Sequence, residues 1–296
     1  MTQPKASGGI RFEGGAFQSS PRKTSGPDQP LVTIVTVVLN KRTQLEKTVA
    51  SVGQQNYENL EHIVIDGGSS DGTVELLRER DQSIDHWISE PDTGISAAFN
   101  KGLALANGDI VAFLNAGDWY ERDAIETVCS VFRHHPEADV ACGAIRLWNP
   151  DSSSLVCLSN PSLIEKETSV YHPAVFVKKS SYEKFGYFDE NYRYAMDYEL
   201  LLRFHRRGAK LINLESVIAN MSLDGISYEH WYSGLKEVKK ARSEYFPRHD
   251  VLIRHWLAVL KNLVARGLKL AGLSDVYRFY WYKRNERTMK QPMADA

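Results

Sequence analysis

Acidic and amide side chains follow three apolar runs of the sequence, at points where buried strands would end. Asp66 ends the run in EHIVIDGGSSDGT, and Asp118 ends the run in FLNAGDWY. Between them, Asp92 and Asn100 lie in SEPDTGISAAFNKG. The neighbouring glycines permit tight turns and a close approach of backbone to a ligand, and such polar groups can bind a nucleotide or a divalent cation. Each turn alone would equally suit a plain strand-to-helix connection with a helix cap.

The elements that must position these side chains alternate between strands and helices from Leu31 onward. The segments LVTIVTVVL, LEHIVI, IDHWIS and DIVAFL are typical of strands, and TQLEKTVASV, TVELLRER and SAAFNKGLALA are typical of helices. Thr43 and Glu46 have capping-box spacing at the start of the first helix. This order predicts an α/β fold with a mainly parallel sheet sandwiched by helices. Ligands of such sheets bind beyond the carboxyl ends of the strands, so the polar strand ends predict one cleft.

Composition indicates one large folded domain with appendages. The chain has 296 residues, of which 43% are hydrophobic and 25% are charged, and a net charge of −1. Residues 1–30 are rich in Gly, Ser and Pro and predict a flexible leader. Residues 31–225 form the predicted α/β domain, and residues 226–296 are a basic, aromatic, mainly helical extension. Within that extension, residues 228–290 carry 14 Lys and Arg against 6 Asp and Glu.

Several classes of protein do not fit the sequence. Cys129, Cys142 and Cys157 lack the spacing of a zinc site, and their odd number favours packed thiols in a reducing, cytoplasmic compartment. No run is apolar and long enough for a signal peptide core or a membrane span. The first strand leads into LNKRTQ and not into the glycine-rich turn of a dinucleotide-binding dehydrogenase. No nucleic-acid-binding module is recognisable, so we expect no nucleic acid partner.

The chain resembles the family 2 glycosyltransferases over about residues 31–205. The segments that carry the resemblance are TIVTVVLN, EHIVIDGGSSDGT, SEPDTGISAAFNKGLALANGDIVAFLNAGDWY and, further on, HPAVFVKK with GYFDENYRYAMDYELLLR. The resemblance implies a GT-A fold with a Rossmann-like sheet, and transfer of a sugar from a nucleotide donor. The nearest likeness is to bacterial members that build exopolysaccharides, O-antigens or glycolipids.

The resemblance also assigns roles to the polar residues at the strand ends. It places Asp66 and the following turn in the nucleotide pocket, with Asp92 and Asn100 lining the donor site. Asp118 falls in the region that the family uses to associate a metal. Asp197, in AMDYELLLR, matches the acidic residue that acts as the catalytic base of inverting members. A surface residue or a helix cap is the alternative role for Asp197.

Two departures from the family pattern bear on the nucleotide and the metal. Gly67 stands where many members have a second acid that contacts the nucleotide, which bears on which nucleotide base the donor carries. Asn115 and Gly117 stand where members have acids in the metal region, leaving Asp118. A divalent cation, Mg²⁺ or Mn²⁺, held by Asp118 and the donor diphosphate would still suffice, with Asn115 offering a carbonyl oxygen. A structural Asp118 is the alternative.

If Asp118 is structural, a cation such as Arg193 or Arg203, or a helix N-terminus, would take the place of the metal.

His172, in YHPAVF, is a candidate on the acceptor side, because the following proline favours an extended conformation. A packed histidine is the alternative for this position.

A segment of the extension, VLIRHWLAVLKNLVARGLKLAG, has the pattern of a basic amphipathic helix. The apolar side chains that share one side of it are Leu252, Trp256, Leu260, Leu263 and Val264. Such a helix suits either an anionic membrane surface or packing against the folded domain.

Together these features predict an inverting glycosyltransferase that uses a nucleotide-diphosphate sugar. The acceptor would be a glycan or a polyprenyl-linked or other lipid-linked molecule at the inner face of the cell membrane. A nucleotidyltransferase on a related sheet, and an inactive sugar-nucleotide-binding or membrane-assembly protein, are the alternatives.

Overall fold

The computed structural model describes residues 10–18, 23–26, 29–149, 153–222, 229–271 and 273. Within these ranges the strands are β1 (Phe12–Gly14), β2 (Val32–Val38), β3 (Leu60–Asp66), β4 (His86–Ser89), β5 (Ile110–Phe113), β6 (Trp119–Tyr120), β7 (Val140–Trp148), β8 (Ser154–Cys157), β9 (Val175–Lys178) and β10 (Leu211–Ser222). The α-helices are α1 (Arg42–Gly53), α2 (Thr73–Glu79), α3 (Ile95–Leu105), α4 (Ala124–His134), α5 (Lys179–Phe185), α6 (Met196–Arg206), α7 (Trp231–Ser243) and α8 (Arg248–Leu270). Short 3-10 helices lie at Ala16–Gln18, Asp81–Ser83, Pro161–Leu163 and His172–Ala174.

All described strands join one sheet in the order β1-β4-β3-β2-β5-β9-β7-β10-β6, with β8 paired to β7. Strands β2 to β5 run parallel to one another, and β7 runs parallel to β10. Strand β9 lies antiparallel between β5 and β7, so both parallel groups point the same way. The predicted mainly parallel α/β sheet is confirmed.

Helices cover both faces of the sheet because the central strands are apolar on both sides. All seven residues of β2 are buried. Val35 packs in one cluster with Phe99 of α3 and Phe204 of α6. Ile34, on the opposite face, packs in a cluster with Ile125 of α4. A continuous β-branched run therefore forms a central strand covered by a helical layer on each side.

A strand lies within the segment for which the sequence predicted a flexible leader. Strand β1 pairs antiparallel with β4 at the edge of the sheet. A Cβ atom at Gly14 would lie 2.6 Å from the Trp87 ring, so glycine permits this close approach. The Glu13 carboxylate accepts a hydrogen bond of 2.8 Å from Arg11 and contacts His86 at 2.7 Å. The glycines that indicated mobility thus serve strand packing in the described part of this segment.

The predicted capping box of the first helix is wrong. Helix α1 begins at Arg42, and no side chain caps it from the preceding residue. The Arg42 N–H instead donates to the Asp71 carboxylate, at 2.9 Å, from the loop after β3. Glu46 pairs with Arg80 at 2.9 Å. A carboxylate distant in sequence therefore satisfies the first turn, which a local pattern does not reveal.

The extension is helical where it is described, through α7 and α8. Residues 274–296 lie outside the described residues. None of the helices in the described ranges combines the length and the apolar character that a membrane span requires. The three cysteines are buried and unpaired, as predicted, and burial raises the pKa of the Cys142 thiol to about 12.

A pH-dependent loss of stability follows from the buried His62 of β3. Its Nε2 lies 3.0 Å from the Thr36 hydroxyl, and burial lowers its pKa to about 4, with Asp85 opposing and Lys23 adding to the shift. Between pH of about 6.5 and 4 the unfolded chain binds a proton that the folded chain does not, so stability falls as pH falls. We expect His62 to contribute up to about 3 kcal/mol of this loss.

The variant His62→Gln should lack this contribution, because its amide does not titrate. Urea unfolding of both proteins from pH 7 to pH 4 tests the prediction, with the free energy of unfolding of the variant falling less steeply. Parallel curves for the two proteins would contradict it.

Candidate active site

The carboxyl ends of β2, β3, β4 and β5 lie along one edge of the sheet. The chain adds β3 and β4 on one side of β2 and then places β5 on its other side. The ends of β2 and β5 therefore flank a topological switch point. The loops 39–41, 67–72, 90–94 and 114–118 leave the sheet at this edge. Open α/β sheets bind their ligands in the crevice at such a point. Three of these loops or their preceding strand ends carry the acids singled out in the sequence.

The loops after β2 and β3 are joined by Asn40, which the sequence analysis did not single out. Its backbone N–H donates to the Ser69 hydroxyl at 2.7 Å, and its side-chain oxygen accepts from the Ser70 N–H at 2.9 Å. Asn40 has a φ of 50°, a left-handed conformation that asparagine tolerates better than most residues. An asparagine directly after a buried strand was the available signal for this role.

Asp66 organises the turn after β3. It is fully buried, and one carboxylate oxygen accepts from the Ser69 N–H at 3.0 Å and from the Ser89 hydroxyl at 2.6 Å. Its other carboxylate oxygen accepts from the Ser69 hydroxyl. The structure therefore uses Asp66 to fix the shape of the predicted nucleotide pocket, and a direct contact with a nucleotide stays a prediction.

Asp92 lies against the same turn, and its predicted role in lining the donor site stays a prediction. A Cβ atom at Gly67 would lie 2.9 Å from its Oδ2, and its Oδ1 accepts from the Gly94 N–H at 2.9 Å. Burial raises the pKa of the Asp92 carboxyl, and the Asp66 charge adds to this rise while Lys101 and Arg193 oppose it. The absent side chain of Gly67 thus leaves the space that Asp92 occupies.

Asn100, predicted to line the donor site, bonds to the backbone before α6. Its side-chain N–H donates to the Phe188 carbonyl at 3.0 Å, and its oxygen accepts from the Phe188 N–H at 3.1 Å. The amide also donates to Glu190 at 3.2 Å. These bonds use both polar atoms of Asn100 to hold the backbone near Phe188, and a direct contact of Asn100 with a donor stays a prediction.

Asp118 ends a tight loop that extends β5 along β2. It is 8% exposed, and its backbone N–H donates to the Asn115 carbonyl at 3.0 Å. Gly117 has a φ of 110°, which favours glycine, and its N–H donates to the Thr48 hydroxyl at 3.0 Å. The side-chain oxygen of Asn115 is buried without a hydrogen-bond partner. A buried acceptor of this kind calls for a donor or a cation.

The oxygen atoms of this loop fit a cation only if a bound ligand supplies further oxygen atoms to its coordination shell. The described residues contain no group of three or more His, Cys, Asp or Glu side chains arranged to hold a metal. Asp118 and the unpartnered oxygen of Asn115 offer one carboxylate and one carbonyl. Mg²⁺ and similar ions are often bound by one or two carboxylates together with substrate phosphates. The residues present therefore fit a cation that a bound diphosphate completes.

His172 packs beside Asp197 at the end of β5. Its ring stacks on Phe99, with 5.3 Å between centroids, and its Nε2 is buried without a hydrogen-bond partner. His172, Asp197 and Phe113 line a small cavity of about 10 Å³, which has room for about one water molecule. Burial lowers the pKa of the His172 imidazole, with the Asp197 charge opposing, so the ring is neutral at pH 7. Its contact with an acceptor stays a prediction.

Asp197 is half-buried in the first turn of α6. A carboxylate is stabilised there by the positive end of the helix dipole and by unpaired backbone N–H groups. Because Asp197 and Phe113 line the same cavity, Asp197 lies close to the strand from which the loop of Asp118 emerges. The structure thus brings the predicted base to the sheet edge that carries the predicted donor site.

The two arginines proposed as replacements for a metal differ in their surroundings. Arg203 is buried, binds both oxygens of Glu199, and donates to the carbonyls of Phe185 and Tyr187. Its guanidinium is therefore part of the packing of α6, and the prediction for Arg203 is wrong. The Arg193 side chain is exposed, and its charge opposes the rise in the Asp92 pKa, so it lies near enough to act on that carboxylate.

A separate cavity of about 410 Å³ lies near the C-terminal end of α1. Its lining residues are Ser51, Gln54, Gln55, Tyr120 and Arg122. It contains none of the acids discussed above, so we assign the chemistry to the carboxyl edge of the sheet.

Comparison with known proteins agrees with this assignment. Residues 33–207 match the family described as Glycosyl transferase family 2. An uncharacterized glycosyltransferase of Mycobacterium tuberculosis is 34% identical over 185 residues, which cover 59% of this chain and 68% of the relative. Glycosyltransferase GlyA of Streptococcus pneumoniae is 25% identical over 289 residues, which cover 88% of this chain and 41% of the longer relative.

Solved structures share the fold. The mannosyltransferase PcManGT from Pyrobaculum calidifontis, in complex with GDP-Man and Mn²⁺, has a TM-score of 0.61 at 18% identity, covering 89% of this chain and 87% of that one. S. aureus TarS in complex with UDP-GlcNAc has a TM-score of 0.56 at 14% identity, covering 71% of this chain and 66% of that one. These neighbours are GT-A glycosyltransferases, which confirms the expected fold. The chain is therefore a glycosyltransferase and a member of glycosyl transferase family 2.

Proposed function

We propose that the protein is an inverting glycosyltransferase that moves a sugar from a nucleotide-diphosphate sugar to a glycan or lipid-linked acceptor. The observation that carries this proposal is the position of Asp197, in the first turn of α6 and in one small cavity with Phe113 of β5. A half-buried carboxylate is thereby set beside the crevice where donors bind in open α/β sheets.

The chemistry requires a base on one side of the anomeric carbon and a leaving diphosphate on the other. Asp197 accepts the proton of the acceptor hydroxyl while the oxygen attacks, so the configuration at the anomeric carbon inverts in a single displacement. The buried ring of His172 lines the same small cavity as Asp197 and borders the inner side of the base. Asp92 and the turn shaped by Asp66 and Asn40 form the donor side of the crevice.

Asp118 and Asn115 are the residues that would hold a divalent cation together with the donor diphosphate. Such an ion stabilises the negative charge that develops on the leaving group. The unpartnered oxygen of Asn115 supports this assignment. The exposed guanidinium of Arg193 is a second source of positive charge at the same edge.

Related proteins support the classes of donor and acceptor. Solved neighbours are described in complex with UDP, UDP-GlcNAc or GDP-Man, which supports a nucleotide-sugar donor. TuaG of Bacillus subtilis, 37% identical over 101 residues and 33% of this chain, is named for teichuronic acid biosynthesis. A relative from Mycobacterium bovis is named for PGL/p-HBAD biosynthesis. We infer that this protein acts in the biosynthesis of a cell-surface polysaccharide or glycolipid.

We propose that the protein is cytoplasmic and binds the membrane peripherally, through the outward face of α8. Its exposed apolar side chains follow helical spacing and are each between 43% and 59% exposed: Ile253, Trp256, Leu257, Leu260, Leu263 and Val264. Val251 and Val259, on the opposite side, are buried against the rest of the protein. Leu252, which the sequence placed on the apolar side, is half-buried.

Charge favours an anionic membrane as the occupant of this face. Helical spacing places Lys261 on one flank of the face, together with Arg254, which pairs with Asp250 at 2.8 Å, and places Arg266 on the other flank. Basic flanks around an exposed apolar stripe match the geometry of helices that lie in an anionic interface. A lipid-linked acceptor would then be presented at the surface where the enzyme is bound.

Substitution of the proposed base should abolish transfer without loss of donor binding. We expect Asp197→Asn to lower the transfer rate by at least about 100-fold, because the amide cannot accept the acceptor proton. Donor binding, measured as a thermal shift, should remain. Glu183→Gln, which neutralises an exposed carboxylate on α5, is the matched control and should transfer normally. Near-normal turnover of Asp197→Asn would refute the assignment.

Substitution of Asp118, the proposed metal ligand, should remove the effect of Mn²⁺ on donor binding. A donor at about 100 times its dissociation constant stabilises a folded protein by about 2.7 kcal/mol. We expect UDP-, GDP- or TDP-sugars to raise the melting temperature more with Mn²⁺ than without it, and Asp118→Asn to lose that increment. Asp123→Asn, at an exposed carboxylate, should keep it. Transfer that is unaffected by EDTA, or an unchanged increment in Asp118→Asn, would contradict the metal assignment.

Binding to anionic vesicles should depend on the outward face of α8. We expect the protein to co-sediment with phosphatidylglycerol-containing vesicles more than with phosphatidylcholine vesicles, and less at high salt. The double variant Trp256→Ser, Leu260→Ser should lose most of this binding. Tyr187→Ser, at a side chain that is 49% exposed elsewhere, should keep it. Equal binding by the double variant and the Tyr187→Ser control would overturn the proposal.

A further inference from the structure

The start of α6 is held by a carboxylate from the C-terminal extension. Glu237 of α7 accepts hydrogen bonds from three consecutive backbone N–H groups. The Arg193 N–H lies 3.0 Å from both of its oxygens, and the N–H groups of Tyr194 and Ala195 lie 2.7 and 2.8 Å from Oε2. These bonds connect positions 42 to 44 residues apart in sequence.

This contact lies immediately before the first turn of α6, which has no cap of its own. The first turn of a helix leaves backbone N–H groups without partners, and a side chain at the preceding position usually accepts from one of them. Ala195 occupies that position and has no acceptor in its side chain. Glu237, from another helix, binds instead the N–H groups of the three residues that lead into α6, with charge-assisted bonds that are stronger than those between neutral groups.

The segment that Glu237 holds carries two groups of the active site. Asp197 follows Ala195 by two residues, and Arg193, whose charge acts on Asp92, belongs to the segment itself. A shift of 193–195 would move the proposed base and this cation together. Displacement of reacting groups by about 1 Å can cost about 100-fold in rate.

Helix α7, which carries Glu237, is itself held in place by buried and hydrogen-bonded side chains. Arg242 of α7 is buried, pairs with Asp250 of α8 at 2.7 Å, and donates to the Tyr198 hydroxyl at 3.3 Å and to the Glu165 carbonyl. The Tyr194 ring packs on His230, with 5.0 Å between centroids. The extension therefore contacts α6 on both sides of Asp197.

We propose that Glu237 is a positioning residue for sugar transfer: its carboxylate fixes the backbone at 193–195 and thereby sets the place of Asp197 in the crevice. This inference rests on the proposed role of Asp197 as the base. It makes the extension a part of the active site, although its residues lie beyond the region that matches the family.

The test compares three variants of the full chain. Glu237→Ala removes all the acceptors, Glu237→Gln keeps one carbonyl oxygen, and Glu229→Ala removes an exposed carboxylate just before α7 as the control for charge. We expect Glu237→Ala to lower kcat by about 10- to 100-fold. We also expect the apparent KM for the donor to change less than kcat, because the exposed Arg193 moves with this segment but the loops that carry Asp66, Asp92 and Asp118 do not. Glu237→Gln should recover part of the loss, and Glu229→Ala should behave as the parent protein.

Amide hydrogen exchange gives a readout that does not depend on catalysis. Exchange in the peptide that covers residues 193–197 should increase in Glu237→Ala and less so in Glu237→Gln, with exchange in β2 and β3 unchanged. A general loss of protection throughout the sheet in both variants, or an unchanged kcat in Glu237→Ala, would overturn the inference. An active Asp197→Asn would instead overturn the proposed base, so the two failures are distinguishable.

Discussion

Parallel pairing of β2 with β3 on one side and with β5 on the other is the constraint on which the site depends. Because these strands point the same way, their following loops leave the sheet together and must pack against one another. Asn40 bonds to the loop after β3, and the Asp118 loop continues along β2. Polar groups spaced widely in sequence thereby meet at one edge without any motif that contains them all.

The proposed base lies on α6, which tertiary contacts must bring to this edge. The ring of Phe99 on α3 lies 4.5 Å from that of Phe113 at the end of β5 and 5.0 Å from that of Phe188 before α6. Asn100 fixes the backbone at Phe188, and Glu237 fixes the backbone before Asp197. The proposed donor loops and the proposed base are therefore joined by a buried aromatic cluster and by hydrogen bonds to the backbone.

The periodic parts of the fold could be predicted from the sequence, since burial on both faces and helical amphipathicity leave a local pattern. The acids at the strand ends could be predicted for the same reason, because a strand end is visible where an apolar run stops. Asp92 lies beside Gly67 and Asp118 lies beside Asn115, in the loops that follow the strands. Contacts made by the backbone could not be predicted. Asn100 holds the backbone of Phe188, Asp71 accepts from the Arg42 N–H, and Glu237 holds the segment before α6, and each partner lies 29 to 88 residues away.

The central claim is that Asp197 serves as the base of a single displacement at the anomeric carbon. The most direct test is the configuration of the product, determined by the coupling of the anomeric proton in nuclear magnetic resonance spectra of the purified glycoside. The account predicts that a donor with an α-linked sugar gives a β-linked product. An α-linked product would show that the configuration is retained and would contradict the account.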